Sequence, residues 1–327
     1  MTLPSPQSLR TPARYFLNAV YLAHRHDGWR AATATAARLA AAEVARFVRL
    51  QQLNRSNRGH AAAPVSKAPL LDVPEILRQF DAAGIPVATF TLDRDAFDRH
   101  REHFRYPRFY AGGPVSEGGF REAKALEYFI SLALLPVSSS DVVVDVASEH
   151  SVFPELVGSE TGARVLRQDL IYPPGLHRGR IGGSADAMPL PDGSVDKLFL
   201  HNSFEHFEGE TDSNFIREAW RLLRPSGAVC IVPLYLSTRP QIITDPANDR
   251  EGIAWDGDAE IVSQRGHRNR FGRFYSVETF RRRVLAPATE CGFRVSVYHL
   301  AGAAPDSSEP VDRAYRGIGF AALLTKP

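Results

Sequence analysis

The sequence predicts a doubly wound α/β fold built on a mostly parallel sheet. Three observations predict it. Apolar strand segments alternate with helical ones from about residue 140 to the end, the pattern of a parallel sheet covered on both faces. The first of these strands, in DVVVDVASEHS, ends in an acid, Asp145. The later stretch REAWRLLRPSGAVCIVPLY runs from a helix through Arg-Pro-Ser-Gly into another apolar strand. Ligands of such sheets collect at the carboxyl ends of the strands, so candidate site residues can be named where each strand stops.

The bulk numbers bound the reading. A chain of 327 residues that is 44% hydrophobic and 23% charged has the composition of a globular protein, with too many apolar residues for a disordered one. A formal net charge of +2 is too mild to argue for a nucleic-acid partner. No apolar run approaches the roughly 18 residues of a membrane span. Cys230 and Cys291 stand far apart with no metal or redox spacing, and Cys230 falls inside an apolar strand pattern, where a buried thiol is expected. A reducing cytoplasm fits that usage.

Taken in order, residues 1–67 read as a tail, helices and a linker. Prolines 4, 6 and 12 mark the tail, and residues 13–54 have helical character. In the second half of that segment Ala36, Leu39, Ala40, Val44, Phe47 and Val48 recur at helical spacing. The stripe is expected to pack on the parent domain or on a second copy in a homo-oligomer, with membrane-surface binding as the sharper alternative. The Arg- and Ala-rich composition of the first 70 residues, with Asp27 and Glu43 the only acids, fits either an Ala-rich helix or a transit peptide.

Residues 68–119 read as an α/β extension or active-site cap. A helix is expected over 73–83, a strand over 86–92 and a helix over 93–104, followed by an aromatic, glycine-bearing loop. A strong helix over 120–135, lined by Ala125, Leu126, Phe129, Ile130, Ala133 and Leu134, opens the main domain, 120–327, and Pro136 ends it. Strands are then expected over 142–147, 164–170, 180–182, 197–201, 228–234, 294–300 and 318–325. Helices are expected over 153–156, 213–223 and 277–291. Residues 171–178, with Pro173-Pro174-Gly175, are too short and proline-bound for a crossover helix. Residues 238–263 form a long insertion, and the basic, aromatic segment after it reads as a solvated loop or as a lid using Arg270 and Arg273 on an acidic acceptor.

The chemistry-bearing residues follow from the strand ends. Asp145 faces the first turn, Ala147-Ser148-Glu149-His150-Ser151, which lacks the G-x-G-x-x-G of a pyrophosphate cradle. A donor without phosphate, such as S-adenosylmethionine, needs less of that cradle. Asp169 ends the second strand, where a carboxylate can accept from ribose hydroxyls. Ser184, Ala185 and Asp186 follow the third and could read an adenine edge. The fourth ends in His201-Asn202-Ser203-Phe204-Glu205-His206. Its HxxxEH spacing is not the helical HExxH of a zinc site, so no metal is expected. His206 or His201 is a candidate general base, because imidazole exchanges protons near neutral pH; Glu205 and His206 could equally serve only to set the following helix.

With these residues in place the chain resembles class I S-adenosylmethionine-dependent methyltransferases, most closely the type 11 group. The resemblance runs from about Phe120 to the C-terminus and rests chiefly on SADAMPLPDGSVDKLFLHNSFEHF and REAWRLLRPSGAVCIVP. It implies a seven-stranded, Rossmann-like sheet with its last strand antiparallel, and methyl transfer from S-adenosyl-L-methionine to a small-molecule acceptor, a saccharide or natural-product hydroxyl. It also implies that Asp145 and the turn 147–151 form the first donor motif, with Ala147, Glu149 and Ser151 standing where that motif carries glycines. Asp169 corresponds to the ribose-binding acid, and Ser184 stands at the adenine-contacting aspartate. By the same analogy the loop 106–113 closes over the donor, with Tyr110 facing the substrate. A relative that keeps the sheet but binds no donor, serving as a scaffold, is the competing reading.

Overall fold

The computed structural model describes residues 72–103, 119–148, 151–265, 267, 269–302 and 317–327, together with helical positions 28–30, 32–38, 40, 41, 44, 45 and 48. Glu149 and the loop 106–113, with Tyr110, lie outside the described residues.

In chain order the elements are α1 (Val73–Ala82), β1 (Val87–Thr91), α2 (Arg94–His103), α3 (Gly119–Leu134), β2 (Val142–Val146), α4 (Phe153–Thr161), β3 (Arg164–Asp169), β4 (Gly175–His177), β5 (Arg180–Gly182) and β6 (Val195–His201). After them come α5 (Thr211–Leu222), β7 (Leu223–Val232), β8 (Gln241–Thr244), β9 (Glu260–Ser263) and β10 (Gly272–Phe274). A helix in three registers follows: α6 (Val277–Phe280), a π turn (Arg281–Leu285) and α7 (Ala286–Cys291). β11 (Arg294–Ala301) and β12 (Phe320–Thr325) end the chain.

Nine strands form one sheet in the order β1-β11-β12-β7-β6-β2-β3-β5-β4. Within it, β12 runs antiparallel to both neighbours and β4 antiparallel to β5; the other pairs are parallel. The seven expected strands are all present, as β5-β3-β2-β6-β7-β12-β11. The chain leaves β2 toward β3 and β5, then returns to place β6 on the other side of β2. The point where the order reverses therefore lies between β2 and β6, which is where a doubly wound sheet binds its ligand.

Strand alternation sends Val144, Val146, Leu198, Leu200, Val229 and Ile231 into one core, beneath α1, α5 and the 277–291 helix. Val143, Phe199, Cys230 and Val232 enter a second core beneath α2, α3 and α4. The helix expected over 277–291 widens to a π turn just ahead of Pro287, whose ring nitrogen cannot donate to the preceding turn.

Three expectations change. The unit expected over 68–119 as an extension or cap is, over residues 72–103, an edge of the main sheet: β1 pairs in parallel with β11, and Phe80 of α1 lies 5.7 Å from Phe280 and 6.5 Å from Phe320 between ring centroids. The insertion after β7 is not a plain loop. It folds into a second sheet, β10-β8-β9. Finally, of the two surfaces expected to cover the stripe, the parent domain and a second copy, the first does not cover Val44 and Val48, which are exposed.

Candidate active site

At the carboxyl end of β2, Ala147 takes a left-handed conformation, φ 52°. That is the backbone a glycine adopts without strain, here held by a residue that carries a Cβ. Its geometry is held by Gln168 of β3. The Gln168 side chain accepts from Ala147 N at 3.0 Å and donates to Gly183 O at 2.6 Å, while Gln168 O accepts from Ser148 N at 2.8 Å. One buried amide thus ties the turns after β2, β3 and β5 together. With the backbone N–H groups of Ala147 and Ser148 so engaged, the Ser148 hydroxyl lies 3.3 Å from Tyr172 Oη.

Asp145 is buried, and its Oδ2 has no hydrogen-bond partner. Asp169 Oδ1 accepts from Ile171 N at 3.0 Å, which fixes the carboxylate at the strand end. Ser184, Ala185 and Asp186 form the turn after Gly183, where the added Cβ of a side chain would meet nothing within 4 Å. The preserved turn, the unpartnered Asp145 oxygen and the open space at Gly183 fit a donor with a ribose and an adenine.

His201 does not reach this turn. Period-2 alternation puts it on the same face of β6 as Phe199, beneath α3. There its Nε2 lies 3.0 Å from Ser131 Oγ and its Nδ1 3.4 Å from Asp145 Oδ1, among the rings of Tyr128 and Phe153. Both ring nitrogens are engaged, and its candidacy as general base is withdrawn in favour of a core histidine. His206 is different. Its Nδ1 lies 2.6 Å from Phe271 O, and a carbonyl can only accept, so Nδ1 carries the ring proton and Nε2 is the nitrogen left for chemistry.

Asn202, at φ 53°, belongs to a half-buried cluster beyond the strand ends. Its Nδ2 donates to Glu127 Oε1 at 2.9 Å, Lys124 Nζ donates to Glu127 Oε2 at 2.7 Å, and Tyr235 Oη donates to Asn202 Oδ1. Burial, followed by the charges of Glu205 and Glu127, holds the Tyr235 hydroxyl well above its usual range. Lys124, Glu127 and Tyr235 are candidate site residues that the strand ends alone do not announce. The signal for two of them is in the helix: Lys124, Glu127 and Ser131 recur at i, i+3 and i+7, a polar line beside the apolar stripe of α3.

The arginines of the basic segment are corrected. Arg273 is fully buried, and all five of its N–H groups are spent: Nε and Nη2 on Asp256 at 2.7 and 2.8 Å, Nη1 on Phe207 O at 2.7 Å and Asp212 at 2.8 Å, Nη2 also on Gly209 O at 3.0 Å. Arg270 is bidentate to Glu208 at 2.7 and 3.2 Å and bonds the carbonyls of Asp249 and Glu251. Both fasten the inserted sheet to the turn after β6. Among the described residues no cluster of His, Cys, Asp and Glu could hold a metal ion, and no helix is long and apolar enough to cross a membrane.

A family model described as a methyltransferase domain, of the type 11 group, matches residues 175–231, from β4 through nearly all of β7. That segment resembles a type 11 methyltransferase domain, and the strand order is that of a doubly wound, Rossmann-like sheet. The glycine-less turn precedes the matched segment. No curated protein matches the chain. Solved structures that resemble it include a 1,6-didemethyltoxoflavin-N1-methyltransferase of Burkholderia thailandensis, with 1,6-didemethyltoxoflavin and S-adenosylhomocysteine bound. It shows 13% identity over 82% of this chain and 98% of that one, at a TM-score of 0.43. An S-adenosylmethionine-dependent methyltransferase of Mesorhizobium loti shows 16% identity over 61% and 96%, at a TM-score of 0.41.

Proposed function

We propose that this chain is an S-adenosylmethionine-dependent methyltransferase acting on a small molecule, a saccharide or natural-product hydroxyl, in the cytoplasm. The observation that carries the reading is the convergence of polar groups at the carboxyl ends of β2, β3 and β6: Asp145 and Asp169 on one side, Asn202 with Glu127 and Tyr235 on the other. Asp169 would accept from the ribose hydroxyls, Ser184, Ala185 and Asp186 would line the adenine, and Asp145 with Ala147 and Ser148 would bound the rest of the donor. Bound there, the donor supplies a methyl group activated by its sulfonium. The chain's part is to align the acceptor, exclude water and take the proton. His206 would take part in that last step, since Phe271 O holds the ring by its other nitrogen and leaves Nε2 to carry the proton onward.

Calorimetric titration of S-adenosylmethionine and S-adenosylhomocysteine tests the reading. Binding of both, weakened by Asp169→Ala, is expected. No heat and no thermal shift at millimolar ligand would make the chain a scaffold relative instead.

A further inference from the structure

Glu205 is a carboxylate buried without a full set of partners. It lies in the single turn Phe204–His206 that follows β6, is 6% exposed, and its Oε2 accepts no hydrogen bond. Its Oε1 is 3.5 Å from His206 Nε2. The charged groups facing it are His206 on its own turn and Lys124 and Glu127 from α3, and Tyr235 beyond β7 is its remaining titratable neighbour. None of these completes it. The Lys124 ammonium donates to Glu127, and the Tyr235 hydroxyl proton is directed at Asn202. Burial raises the Glu205 carboxyl above its usual range, against the nearby cations. The same turn abuts the donor turn: Ser203 Oγ donates to Val146 O at 3.4 Å, one residue before Ala147.

A buried acceptor atom that no neighbouring donor reaches is completed by a ligand that brings one. We propose that Glu205 is the proton-accepting residue of the acceptor site, and that the acceptor is a group presenting an N–H or O–H to Oε2. The inference rests on the methyltransferase reading above and adds the recognition chemistry of the same site. In the transfer, Glu205 Oε2 takes the proton as the acceptor's N–H or O–H bond breaks. The acceptor atom forms its bond to the methyl carbon, and the carbon–sulfur electron pair stays on sulfur. The positive sulfonium and the negative carboxylate are neutralised together, which a desolvated site favours. Glu205 Oε1 faces His206 Nε2, and the half-exposed imidazole is the route by which the proton then leaves.

The test requires no knowledge of the acceptor. Calorimetric titrations in buffers of different ionisation enthalpy count the protons released when a ligand binds. Run across a series of pH values upward from the ordinary carboxylate range, S-adenosylmethionine should expel a proton from Glu205, whose carboxyl burial raises, because its sulfonium favours the carboxylate. Neutral S-adenosylhomocysteine should expel none. Glu205→Gln should abolish the proton release while both ligands still bind, and its preference for the sulfonium over the thioether should fall severalfold. Glu205→Asp, still ionisable, should keep the linkage, and the thermal midpoint of each variant reports its fold. Proton release missing from the wild type, or persisting in Glu205→Gln, overturns the proposal. Failure of both ligands to bind overturns the methyltransferase reading itself, and the proposal with it.

Discussion

At the scale of single residues, the site is a set of carboxylates in unlike environments. Asp145 and Asp169 end adjacent strands, and removing either side chain should weaken S-adenosylmethionine binding about tenfold, or ~1.4 kcal/mol, by calorimetry. Unchanged affinity in both variants would misplace the donor. Glu205 also makes a prediction about stability. Its folded carboxyl is raised by burial, so the native state holds a proton that the unfolded chain, near its ordinary value, has lost. Stability therefore falls as pH rises from the ordinary carboxylate range through the raised value. Glu205→Gln cannot titrate. Its melting temperature should match the wild type near pH 4 and exceed it increasingly toward neutrality, by about 1–3 kcal/mol of stability once the carboxylate is fully charged. Gly182 bears on the same site from behind. A Cβ there would collide with the Pro173 carbonyl and come within 2.5 Å of the Tyr172 carbonyl. Gly182→Ala should displace the crossover after β3 and loosen donor binding along with the fold, in the same titration. Asp145 and Asp169 were legible because each ends an apolar run. The Glu127–Asn202–Tyr235 cluster was not, because its bonded pairs are 75 and 33 residues apart and meet only through the sheet.

At the scale of elements, the inserted sheet is fastened by charge rather than by a large apolar core. Asp212, fully buried at the start of α5, accepts from Arg273 at 2.8 Å, from Arg283 at 2.8 and 2.9 Å, and from Tyr275 at 2.8 Å. Two guanidinium groups and a hydroxyl converge on one carboxylate, so its loss takes a shared partner from two buried cations. Asp212→Ala should cost roughly 3–5 kcal/mol in chemical denaturation. Arg282→Ala, whose partner Asp258 is in an exposed pair, should cost under ~1 kcal/mol. The basic run QRGHRNRFGRFYSVETFRRR looked in sequence like one solvated or acceptor-binding surface. Composition could not separate Arg273 and Arg283, which are buried, from Arg281 and Arg282, which are not. Their acidic partners lie in α5 and the insertion, remote along the chain.

At the scale of the whole molecule, α1 and β1 are part of the main domain. Phe80 lies in the same apolar core as Phe280 and Phe320, so Phe80→Ala should remove about 3–5 kcal/mol and lower one shared unfolding transition. Two separate transitions would instead mark 72–103 as an independent unit. The exposed Val44 and Val48 make a second copy of this chain the proposed partner of the N-terminal helical stripe. Val44→Glu with Val48→Glu should then reduce the mass seen by light scattering.

The sequence by itself determined the seven core strands, the acids that end two of them, and the family segment. Each of these is written locally, as a period of apolar residues, a strand end or a contiguous motif. Tertiary structure alone decided that His201 is a core residue, that Arg273 is a structural cation, that β1 closes the sheet edge, and that Glu205 is buried beside its histidine. Those outcomes depend on which residues face one another across the sheet. Local periodicity states that a side chain points to a face, but only the folded partners determine what it meets there.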